Sequence, residues 1–110
     1  MTQDLSPLVE LLKQRLKVVQ EISSVQSRNL FNRQLGGGAE LEIIQIERDI
    51  AAKGSSQSHV ETLADARKRL QNADDATLEC NAHCAELERR LEQLDRSIAA
   101  ASGSLESEGE

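Results

Sequence analysis

The chain has 110 residues, a formal charge of −6, two cysteines and a single aromatic side chain, Phe31. So little aromatic area argues against a compact globular core, while the dominance of Ala, Leu, Glu, Gln and Arg is typical of long helices. The basic clusters Arg67-Lys68-Arg69 and Arg89-Arg90 are interleaved with acids, so no basic face of the kind that binds nucleic acid emerges, and no apolar run has membrane-spanning length or the form of a signal-peptide core.

Ser6-Pro7 reads as a helix start, with Ser as cap and Pro in the first turn. From there Leu5, Leu8, Val9, Leu11, Leu12, Leu16, Val18, Val19, Ile22 and Val25 lie on an apolar arc of roughly 200°, broken only by Arg15. One neighbouring helix covers about half of that. Leu5, Val9, Leu12, Leu16, Val18 and Val25 are therefore the candidate partner-binding residues.

Gly36-Gly37-Gly38 follows, and each Gly costs about 1 kcal/mol against Ala inside a helix. The run predicts a bend or break, and a full turn there would give a three-helix arrangement. Helical periodicity resumes at Ala39, Ile43, Ile46 and Ile50 and stops at Lys53-Gly54, a cation in the last turn followed by a C-terminal Gly.

Residues 54–57 form a short connector, and Ser58-His59-Val60-Glu61 has the pattern of a capping box. Beyond it, Leu63, Ala66, Leu70, Ala73, Thr77, Cys80, Cys84, Leu87, Leu91, Leu94, Ile98 and Ala101 alternate steps of three and four. A 3.5-residue period sustained over more than five heptads is the seam of a coiled coil. Leu63, Leu70, Leu87, Leu91, Leu94 and Ile98 are its core. The helix is expected to end near Ser102-Gly103, leaving 103–110 as a disordered acidic tail.

The connector lies at the midpoint, so arms 6–53 and 58–102 are nearly equal. The predicted fold is all-α, a long antiparallel helical hairpin or coiled coil that is oligomeric. Position i then faces about 112 − i, which sets the three glycines against Asp74-Asp75 and Ile43, Ile46 and Ile50 against Ala66, Ala73 and Leu70, large against small. A parallel homodimer of residues 58–102 would also avoid like-charge pairs, joining Arg69 to Asp74 and Arg90 to Asp95. The hairpin accounts for residues 1–53, which the isolated dimer does not.

Cys80, His83 and Cys84 share a helix face at spacings of three and four, and thiolate and imidazole are zinc ligands. They are the candidates for a metal or thiol sensor. A closed site needs a fourth ligand, and cysteines at a and d positions more often fill a seam as small hydrophobes. No P-loop, dinucleotide fingerprint or nucleophile–base pair is present. These features point to a cytoplasmic, non-enzymatic coiled-coil module without cofactor: an adaptor or structural subunit that binds a protein partner or itself through its helices. Its alternatives are an export or assembly chaperone for a helical client and the thiol or metal sensor.

Overall fold

The computed structural model describes residues 4–108, with side chains described as far as Ser104. Two helices account for nearly all of it, α1 (Ser6–Lys53) and α2 (Gln57–Glu108), and they form an antiparallel hairpin. Gly54 closes α1 with φ of 85°, in the left-handed region that Gly occupies without strain, and its N–H donates to the Ile50 carbonyl at 2.8 Å.

The caps differ in detail from the sequence reading. At the start of α1 the Ser6 N–H donates to Asp4 Oδ1 at 2.9 Å, so Asp4 and not Ser6 supplies the capping oxygen. That bond holds the Asp4 carboxyl below its ordinary value. At α2 the cap is Ser56, two residues earlier than expected: its Oγ accepts the His59 N–H at 3.2 Å and its carbonyl accepts the Val60 N–H at 3.0 Å. Starting there lengthens α2 by two residues, and the Ser58 carbonyl accepts from Thr62 Oγ1 at 2.8 Å. At the far end α2 runs through Gly103 to Glu108, so residues 103–108 of the expected tail are helical, and residues 109–110 lie outside the described residues.

The hairpin divides into two compact units. The first joins α1 up to Gln26 with α2 from Ala82 onward, and the second is Ser27–Asn81. In the first, Val18, Val25, Leu87 and Leu94 are buried, and Arg15 Nε reaches from the seam to Asp95 Oδ1 at 2.7 Å. In the second, Ala39, Ile46, Ala66 and Ala73 are buried. Its rims carry Glu42–Arg69 at 2.6 Å and Glu47–Arg67 at 3.5 Å. Arg69 also takes Asp65, its i,i+4 neighbour, at 3.0 Å. Each cross-helix pair falls within two residues of the register in which i faces 112 − i. All are solvent-exposed, so each contributes only about 0.2–1 kcal/mol.

The expected break at Gly36-Gly37-Gly38, and with it the three-helix alternative, is absent: α1 is one helix of 48 residues. Gly36 is itself buried in the seam, and a Cβ built on it would lie 3.5 Å from Ala73 Cβ. Seam positions continue on both sides, at Ile22 and Val25 before it and Ala39, Ile43 and Ile46 after it, and tertiary packing of that face outweighs the local propensity deficit. Because 3.5 Å is ordinary van der Waals contact and nothing lies near Gly37 or Gly38, Ala at each of the three positions should raise stability by about 0.5–1 kcal/mol. Ala at Gly54 should lower it by about 1–2 kcal/mol, the cost of left-handed backbone in an L-residue. Urea unfolding followed by circular dichroism checks both signs, and a loss of stability in the first group would mean that α1 is not continuous there.

Candidate protein-binding surface

Every position of the seam read in α2, from Leu63 to Ala101, is buried or half-buried. Its counterpart in α1 is longer than the sequence reading allowed. Leu8, Leu11, Arg15, Val18, Ile22, Val25, Asn29, Asn32, Gly36, Ala39, Ile43, Ile46 and Ile50 all lose exposure, again at alternating steps of three and four. With Leu8 at a, this inward row fills a and d throughout.

The wide apolar arc of α1 therefore splits. Val18 and Val25 turn into the seam, at 4% and 1% exposure. Leu5, Val9, Leu12, Leu16 and Val19 turn outward at 51%, 45%, 47%, 59% and 37%. These five follow steps of four, three, four and three, at positions e and b of the same heptads. They form a second apolar row in heptad register on the same helix, exposed to solvent.

The second unit holds a polar layer. Asn29 Nδ2 donates to Asn81 Oδ1 at 2.8 Å, Asn32 Nδ2 donates to Cys80 Sγ at 3.6 Å, and Thr77 Oγ1 donates to the Ala73 carbonyl at 2.9 Å. Asn29 Oδ1 is buried and accepts no hydrogen bond. The sequence reading recognised Thr77 and Cys80 as seam residues but not Asn29 and Asn32. The signal was there, since steps of four and three from Val25 land on both.

Of the sensor candidates, Cys80 accepts from Asn32, and Cys84 Sγ donates to Glu88 Oε1 at 3.8 Å. His83 lines an open groove of about 520 Å³ in the first unit with Lys17, Glu21, Glu86 and Arg90, floored by Val18 and Leu87. Among the described residues no group of three or more His, Cys, Asp or Glu side chains is placed to hold a metal ion. Arg89 pairs with Glu86 and holds its carboxyl below the ordinary value. A smaller groove of about 240 Å³ in the second unit is lined by Asn32, Leu35, Arg69, Asn72, Ala73 and Ala76. Among the described residues no helix is long and apolar enough to cross a membrane.

The chain matches no known family profile, no curated protein and no solved structure.

Two predictions follow from the two rows of α1. Val18→Glu with Val25→Glu places carboxylates in the seam, at roughly 3–5 kcal/mol each, and should abolish the helical far-ultraviolet signal. Val9→Glu with Leu16→Glu should keep that signal, since both sites already face water. Equal helicity in the two double variants would refute the assignment of rows. In the polar layer, Asn29→Leu removes a buried acceptor that costs about 1–3 kcal/mol unsatisfied, and should raise the melting temperature; a lower one would mean that the Asn29–Asn81 bond outweighs that cost.

Proposed function

We propose that the chain is a non-enzymatic coiled-coil interaction module, an adaptor or structural subunit, that works by docking a helix on the outward row of α1. The observation that carries this reading is the spacing of Leu5, Val9, Leu12, Leu16 and Val19. Scattered exposed apolar residues are ordinary on a surface, but five in heptad register form a contiguous stripe, and helix-in-groove recognition reads such anchors. Protein is the favoured partner over nucleic acid, because Lys13 and Lys17 beside the stripe alternate with Glu10 and Glu21 and leave no continuous basic face.

The remaining features suit a binding role. The shifted carboxyls, Asp4 and Glu86, are fully exposed and held by a helix cap and an adjacent arginine, arrangements that stabilise helices and do not tune a catalytic group. Both grooves run open along the helix pair.

A photo-cross-linking residue placed at Leu12 or at Leu16 tests the proposal in the cells that make the protein. Each should give a discrete protein adduct, while the same residue at Glu92, on the polar exterior of α2, should give none. Adducts at Glu92 but not at Leu12 or Leu16 would contradict it.

A further inference from the structure

We infer that the helix docked on the outward row is the same row of a second copy of this chain, so that two hairpins pair through α1 about a two-fold axis. This rests on the interaction reading above and names its partner. Three observations support it.

The first is area. Five side chains exposed by 37–59% leave roughly 400 Å² of apolar surface in one stripe, within the range of the largest, often functional, patch on a small protein. Two such stripes face to face remove roughly 800 Å² of apolar surface, and the flanking Lys13, Lys17 and Gln20 stems bring the total to about 1,000–1,200 Å², the lower bound for a specific interface. With those flanking stems the paired stripes reach the roughly 1,000 Å² that a biological interface should clear.

The second is layer matching. In the outward row Val9 and Leu16 occupy the a-like sites, and Leu5, Leu12 and Val19 the d-like sites. A parallel, in-register pair stacks each residue on its own copy and uses all five layers, with Leu at two of the three d-like sites and Val at one of the two a-like sites. An antiparallel pair must match a-like with d-like sites and keeps only four layers. One such alignment, Val9 on Val19 with Leu12 on Leu16, also sets Lys13 near Lys13 and Arg15 near Arg15 of the other copy. The parallel pair sets Lys13 by Leu8 and Gln20 by Arg15, with no like charges opposed.

The third is closure. The outward-facing α2 residues of the first unit, Glu88, Arg89, Glu92, Gln93 and Arg96 among them, are polar, so the α1 stripe is the surface that remains to be covered in that unit. A patch that pairs with itself makes an isologous, closed contact and not a growing chain of subunits.

Light-scattering mass of the purified full chain at micromolar concentration decides the matter. The native chain should run at twice the 12.1 kDa chain mass. Leu12→Glu with Leu16→Glu should run at the single mass with its helical signal retained, and Leu78→Glu, an exposed site on α2, should stay at twice. A native chain at the single mass, or a Leu12/Leu16 variant that remains dimeric, overturns the self-pairing. A chain at the single mass whose Leu12 position still cross-links another protein would sink this inference and leave the interaction reading standing; a chain at the single mass with no such adduct would sink both.

Discussion

A helix that carries apolar side chains in two heptad rows, one at a and d and the other at b and e, cannot cover both against one neighbour. In α1 the a/d row, with Val18 and Val25 at its deepest points, is closed by α2 within the same chain. The b/e row, from Leu5 to Val19, is left to water. The hairpin's stability and its proposed binding activity derive from adjacent faces of one helix, separated by a single heptad position. Val18 and Val19 are neighbours in sequence, and one is buried in the seam while the other faces water.

The closed seam is thin. Its buried apolar residues are Val18, Val25, Ala39, Ile46, Ala66, Ala73, Leu87 and Leu94, three of them alanines. Small residues let the helices approach closely, but each contributes little transfer free energy. The rim pairs Arg15–Asp95, Glu42–Arg69 and Glu47–Arg67 are exposed and define alignment more than they add stability. The polar layer at Asn29, Asn32, Cys80 and Asn81 serves alignment too, because a slipped register would leave more buried amides unpaired.

The second helix was legible in the sequence because a strict seven-residue repeat is insensitive to which small or apolar residue fills each step; Thr77, Cys80 and Cys84 kept the phase as well as Leu87 did. In α1 the same repeat was hidden. Its outward leucines and valines merged with the inward ones into one broad arc, and Arg15, Asn29, Asn32 and Gly36 occupy seam steps with residues that do not look like a core. The glycine run points to a break for a related reason: propensity is a local quantity, whereas the seam on both sides of Gly36 decides the backbone. The caps at Asp4 and Ser56 were missed by two residues each, a difference set by which hydroxyl or carboxylate reaches a free amide. That α1 has an excess of apolar surface was readable from the arc; which half of it faces outward required the packed helix pair.

The division of α1 into two rows is tested most directly by isotope-filtered methyl cross-relaxation within a single chain. Methyl groups of Val18 and Val25 should show intrachain contacts to the buried leucines of α2, Leu87 and Leu94, while those of Val9 and Leu16 show none. Intrachain contacts from Val9 and Leu16 to those leucines, with Val18 and Val25 giving none, would contradict the account.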